Sequence, residues 1–102
     1  MSPADIAGGA STPDEVLQPG TRLSVLALLA AADWAEFAFI RDRLGLSDSA
    51  LSKQLTALET AGYVVTERRS VDSRRRMRAR LTETGRTALQ DYVDSLRAII
   101  AG

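Results

Sequence analysis

The chain has no cysteine and no histidine among its 102 residues. Without thiols there is neither a disulfide framework nor a redox-sensing pair, and without either residue type nearly every soft metal site is excluded. The missing imidazole also removes the commonest general base and the side chain that ordinarily titrates near neutral pH. The single lysine, Lys53, adjoins Ser52 in sequence, and neighbours on a helix do not face each other, so no Ser–Lys pair is at hand. No catalytic residue, metal ligand or cofactor is expected, and the chain does not read as an enzyme. The longest apolar run, Val25 to Ala32, is far too short to cross a bilayer. The start, Met1-Ser2-Pro3-Ala4-Asp5, lacks the basic residues and apolar stretch of a signal peptide. These absences predict a cytoplasmic protein with no membrane partner. The length fits one domain that can bury its own core.

What is present is charge, unevenly spread. Thirteen basic and thirteen acidic residues give a formal net charge of zero. Residues 1–67 carry net −5, residues 68–81 net +6 and residues 82–102 net −1. Twelve of the thirteen bases are arginine, and seven of them fall between Arg68 and Arg80 beside one acid, Asp72. A solvated surface normally mixes signs because like charges repel. This ribbon does not, and the planar fork of arginine suits phosphates and narrow minor grooves. On a strand, alternate residues share a face. Arg74, Arg76, Arg78 and Arg80 should therefore lie on one face and Arg75 on the other. Arg78 and Arg80 are expected to pair with acids such as Glu59, Glu67 or Glu83, and Arg74, Arg75 and Arg76 to meet nucleic acid.

The remaining pattern predicts the elements. Residues 1–11 are rich in Gly, Ala, Ser and Pro and read as a disordered tail, leaving 12–102 as the domain. Thr12-Pro13-Asp14-Glu15 has the form of a helix start, giving a short turn of helix over Pro13 to Leu17. Leu23, Leu26, Ala27, Ala30 and Ala31 recur at helical spacing with Val25, Leu28 and Leu29 on the other side, which predicts a central helix buried on most faces. After a break at Ala32-Asp33-Trp34-Ala35, a helix is expected from Glu36 to Leu44, with Phe37, Ile40 and Leu44 on one stripe. Gly45 ends it. Ser47 caps the next helix, which runs to Ala61 and buries Leu51, Leu55 and Leu58, while Ser49, Ser52, Lys53 and Thr56 face outward. Tyr63 to Thr66 and the alternation around Met77, Ala79 and Leu81 predict a two-stranded hairpin turning at Val71-Asp72-Ser73. Thr82 caps a last helix to about Ala101, whose apolar stripe is Ala88, Leu89, Tyr92, Val93, Leu96, Ile99 and Ile100. The fold class is mainly α with a small β-hairpin (α+β): a winged helix-turn-helix with a long C-terminal dimerisation helix over about residues 82–101.

Pro19-Gly20-Thr21-Arg22-Leu23-Ser24-Val25-Leu26, Phe37, Leu44 to Leu55, Leu58-Glu59-Thr60-Ala61-Gly62-Tyr63-Val64 and Leu81-Thr82-Glu83-Thr84-Gly85-Arg86 together resemble winged-helix transcriptional regulators. The group they are most similar to is the small, single-domain MarR-like and ArsR-like regulators. The resemblance implies a homodimer that binds double-stranded DNA, with Ser47, Ser49, Ala50, Lys53 and Gln54 contacting it from the helix and Arg74 and Arg76 from the wing. Ser52 and Arg75 join these by position, and the subunit contact would use Leu89, Tyr92, Val93, Leu96, Ile99 and Ile100. Members of this group often carry a wing-tip glycine and an Arg-Pro-Arg sequence; this chain has Asp72-Ser73 and Arg74-Arg75-Arg76 instead. The Cys and His ligands of ArsR-like metal sensors are missing, so metal sensing does not carry over. The expected function is a sequence-specific transcriptional regulator, a repressor on a pseudo-palindromic site. The alternatives are a protein-interaction module whose arginine ribbon meets an acidic partner, and a regulator answering to a small-molecule effector in a pocket lined by Trp34, Phe37 and Phe39.

Overall fold

The computed structural model describes residues 20–101; the expected tail over 1–11 and the helix turn Pro13 to Leu17 lie outside them. The elements are α1 (Gly20–Ala30), β1 (Ala35–Glu36), α2 (Phe37–Leu44), α3 (Asp48–Thr60), β2 (Val64–Val71), β3 (Arg74–Leu81) and α4 (Glu83–Ala101). Their order matches the winged helix-turn-helix expected from the sequence. The sheet differs: it is antiparallel and three-stranded, in the order β1-β3-β2. Glu36 belongs to β1, paired with Arg78, and α2 begins one residue later than the apolar spacing suggests. A two-residue strand carries no periodicity of its own, and only pairing with the distant β3 defines it.

Local chemistry sets the boundaries. Gly45 takes φ +67°, and the Leu46 N–H reaches back to the Arg41 carbonyl at 2.9 Å. Gly62 takes φ +81°, and the Tyr63 N–H reaches back to the Leu58 carbonyl at 2.9 Å. Both helices therefore stop in the same left-handed arrangement, which satisfies carbonyls a helix end otherwise leaves bare. Ser47 Oγ accepts from the Ala50 N–H at 3.1 Å, the N-cap its position predicts.

The core joins Val25, Leu26 and Leu29 of α1 to Ile40 of α2, Leu51, Leu55 and Leu58 of α3, and Val64, Ala79 and Leu81 of the sheet. Burying such a side chain is worth about 1.5–3 kcal/mol. α1 is less enclosed than its composition suggests, since Ala27 is exposed and Ala31, expected on the same helix, lies exposed just past its end. Phe39 is also 53% exposed rather than core, because α2 buries only the stripe through Ile40. Among the described residues no helix is long and apolar enough to cross a membrane.

The wing is longer than expected, with eight residues in each strand and Val71 paired to Arg74 across a two-residue turn. Asp72 and Ser73 both have positive φ, 50° and 64°. That is the turn whose twist matches paired strands, and it usually recruits Asn-Gly or Asp-Gly. Here Asp supplies the first position and Ser the second, so the two-residue turn forms without a wing glycine.

At the base of α4, Thr82 Oγ1 accepts from the Gly85 N–H at 2.9 Å and donates to the Gly62 carbonyl at 2.6 Å. The Thr82 N–H donates to the Tyr63 carbonyl at 2.9 Å. Gly85 packs against that same carbonyl, so close that any Cβ would collide with it and with Leu81. The Leu-Thr-x-x-Gly pattern is therefore a helix cap combined with a backbone-to-backbone contact.

Candidate nucleic-acid interface

Helix α3 presents its outward face as the sequence predicts: Ser49, Ser52, Lys53 and Thr56 are exposed, with Ala50 half-buried beside them. At its N-terminus, Arg41 of α2 holds Asp42 through Nε and Asp48 through Nη1, both at 2.8 Å. Hydrogen bonding to Asp42 and then to Asp48 holds the guanidinium well above its ordinary pKa, and the Asp42 carboxyl is held below its own by Arg41. The turn between α2 and α3 is thus tied across its outside as well as through Leu46 inside. Gln54 sits on the flank of α3 toward α1, where Arg22 Nε donates to its Oε1 at 2.6 Å.

Strand register divides the arginine ribbon. Met77, Ala79 and Leu81 of β3 face the core, so Arg75 shares their side of the sheet, as does Arg68, whose cross-strand partner is Met77. Arg74, Arg76, Arg78 and Arg80 lie on the outer face, the division expected from alternation. That outer face carries its own carboxylates. Arg78 binds Glu67 at 2.7 Å, Arg69 lies 4.0 Å from the same carboxylate and Arg76 lies 3.6 Å from Glu36. Arg80 departs from the expected acid pairing: its guanidinium carbon is 4.8 Å from the Trp34 ring centroid, beside that of Arg78 at 4.2 Å. Glu59, another expected partner, accepts from Thr66 Oγ1 at 2.8 Å instead.

Wing and helix meet at an open cleft of about 550 Å3. Phe37, Arg41, Asp48 and Ser52 line it from the helices, and Arg74, Arg75 and Arg76 from the wing. A smaller cleft of about 120 Å3 lies further along, between Ser52, Thr56 and Glu59 of α3 and Arg68 of β2. The three aromatics considered for an effector pocket are dispersed. Trp34 lies under arginines, Phe37 lines the wing cleft, and Phe39 lines a separate groove with Leu28, Ala31, Arg43 and Leu44.

The α4 stripe also divides. Ala88, Leu89 and Tyr92 pack against their own core, whereas Leu96, Ile99 and Ile100 are 40%, 75% and 83% exposed. Two of the six residues of the expected dimerisation set, Leu89 and Tyr92, are therefore used within the chain.

A sequence profile described as the winged helix DNA-binding domain matches residues 21–100. The chain belongs to the winged helix DNA-binding domain family. An uncharacterized Methanocaldococcus jannaschii protein is 32% identical over 72 residues, covering 71% of this chain and 78% of that protein. Among solved structures, a transcriptional regulator homologue from Pyrococcus horikoshii superposes with a TM-score of 0.80 at 29% identity, covering 85% of this chain and 86% of its own. A zinc-responsive MarR family member from Lactococcus lactis, ZitR, shares the fold at 23% identity and a TM-score of 0.61, covering 80% and 56%. This winged helix DNA-binding domain therefore has the fold of transcriptional regulators that the sequence resemblance implied, and it shares that fold with a MarR family member. Zinc response is a property of ZitR; among the described residues here, no group of three His, Cys, Asp or Glu is placed to hold a metal ion.

Sequence reasoning did not single out Arg22, Arg41 or Arg68 in this winged helix domain, or Trp34 as a stacking platform. Arg68 was open to the same alternation argument as Arg75, once its partner Met77 was known.

Proposed function

We propose that this chain is a homodimeric, sequence-specific repressor of transcription acting in the cytoplasm on a pseudo-palindromic DNA site. One observation carries the reading: the outward face of α3 and the wing tip open onto the same cleft, with Ser52 and Asp48 on one wall and Arg74, Arg75 and Arg76 on the other. A helix with short polar side chains suits a major groove, and a cationic hairpin beside it suits the flanking backbone or minor groove. Ser47, Ser49, Ala50, Ser52, Lys53 and Gln54 would contact DNA from the helix, and Arg74, Arg75 and Arg76 from the wing. The dimer is supported by the exposed end of the α4 stripe, Leu96, Ile99 and Ile100, with Val93 half-buried behind them. Leu89 and Tyr92 would support that contact from within. A two-fold dimer presents two recognition helices to half-sites about 34 Å apart.

Selection of bound duplexes from a random pool tests the whole reading. It should return an inverted repeat with half-sites one helical turn apart, and transcription from a promoter carrying that repeat should rise when the protein is removed. No enrichment, and no duplex binding at low salt, would sink it. A small-molecule effector is the second reading, supported by the apolar groove of about 400 Å3 around Phe39. A thermal shift on adding one member of a metabolite panel, abolished in Phe39→Ala, is the expected sign.

A further inference from the structure

We infer that the wing grips the DNA backbone with its inner face, through Arg68 and Arg75, and that Arg68 is a phosphate contact of this protein. The inference rests on the DNA-binding reading above and assigns the work within it. Below the exposed tip residue Arg74, the outer face of the sheet is compensated. Its guanidinium groups at Arg69, Arg76 and Arg78 have Glu67 or Glu36 within 4.0 Å, and Arg78 and Arg80 lie against Trp34. Binding a phosphate there would mean displacing a carboxylate or leaving an aromatic face.

The inner face differs. Arg68 and Arg75 are exposed and make no ion pair among the described residues. The acids that line the same clefts are engaged elsewhere: Asp48 by Arg41, Glu36 by Arg76, and Glu59 by Thr66. Arg68 pairs across the strands with Met77 and Arg75 with Ser70, so the two arginines are diagonal neighbours on one face. Such neighbours stand about 7–8 Å apart, near enough for two guanidinium forks to take neighbouring phosphates of one strand.

Position strengthens the assignment. A DNA strand separating a major groove filled by α3 from a minor groove met by the wing must cross between them. Arg75 lines the larger cleft there and Arg68 the smaller one, opposite Ser52 and Thr56, whose hydroxyls can donate to the same phosphate. Arg68 thus completes a backbone site made from β2, β3 and α3.

The test compares faces. Arg68→Gln and Arg75→Gln are set against Arg69→Gln and Arg78→Gln, each binding a fluorescein-labelled duplex of mixed sequence across a salt series. Thermal midpoints confirm folding. Each inner substitution should weaken binding about tenfold and lower the slope of log affinity on log salt by about 0.9, while the outer ones change neither. Arg68→Lys should restore the slope. Equal loss from both faces, or loss confined to the outer face, overturns the inference while leaving DNA binding intact. A wild-type protein that binds no duplex at low salt overturns both this inference and the functional reading beneath it.

Discussion

Arg22 Nε donates to Gln54 Oε1 at 2.6 Å, a bond from the core helix α1 to α3, the helix proposed to read DNA. It fixes the direction of the Gln54 carboxamide and occupies one lone pair of its oxygen. Reading adenine bidentately needs both the oxygen and the NH2 of that group in one plane with the base. The bond therefore preorganises a side chain that would otherwise have several orientations. Arg22→Ala is expected to relax sequence preference at one position per half-site, by about 1–3 kcal/mol of discrimination. Parallel selections from a random duplex pool check this, and identical consensus sequences would show that Gln54 takes no part in reading.

Arg74 stands at the wing tip, exposed, and makes no ion pair among the described residues. Arg74→Ala should weaken binding to all duplexes alike and reduce the salt slope by about 0.9. Ser49→Ala should leave the slope alone and shift which sequence is preferred. Anisotropy titrations at several salt concentrations on two unrelated duplexes separate the two behaviours.

Gly85 offers a sharp stability test. Its missing Cβ is what allows α4 to rest on the Tyr63 carbonyl. Gly85→Ala raises helix propensity, yet should destabilise the domain by about 1–3 kcal/mol, because backbone rather than a flexible side chain must yield. Urea unfolding followed by circular dichroism gives the sign directly.

Ser73 is the opposite case. It holds φ +64°, a conformation costing a residue with a Cβ about 1–2 kcal/mol relative to glycine. Ser73→Gly should stabilise the wing by about 1 kcal/mol, seen as a higher urea midpoint and slower amide exchange in β2 and β3.

The two halves of the α4 stripe should respond differently. Ile99→Asp with Ile100→Asp removes exposed apolar surface and should yield a folded monomer by sedimentation. Leu89→Ala opens a gap against the chain's own core and should cost about 2 kcal/mol without changing the assembly.

These contrasts show what could be read from the sequence. Gly45, Ser47, Gly62 and Thr82 were legible because each acts on residues within a few positions, through caps and left-handed turns. Leu51, Leu55 and Leu58 were legible because period alone places them. The alternation of the arginines was legible too. Their partners were not: Arg78 and Arg80 meet Trp34, more than forty positions away in sequence, and Arg22 meets Gln54 thirty-two positions on. Ala27, Ala31 and Phe39 misled in the same way. Apolar character records what a side chain tolerates, whereas exposure depends on how neighbouring elements finally cross it.

The Thr82–Gly85 junction has a mechanical meaning. With 19 residues, α4 is a rod about 28 Å long, clamped at one end to the backbone where α3 gives way to β2. A tilt of about 10° at that clamp displaces the far end, where Ile99 and Ile100 lie, by about 5 Å. The same gearing runs backwards: a large movement imposed at the tip arrives at the end of α3 as a small, stiff rotation. Gly85, with no Cβ to hold the helix off the Tyr63 carbonyl, is its bearing surface.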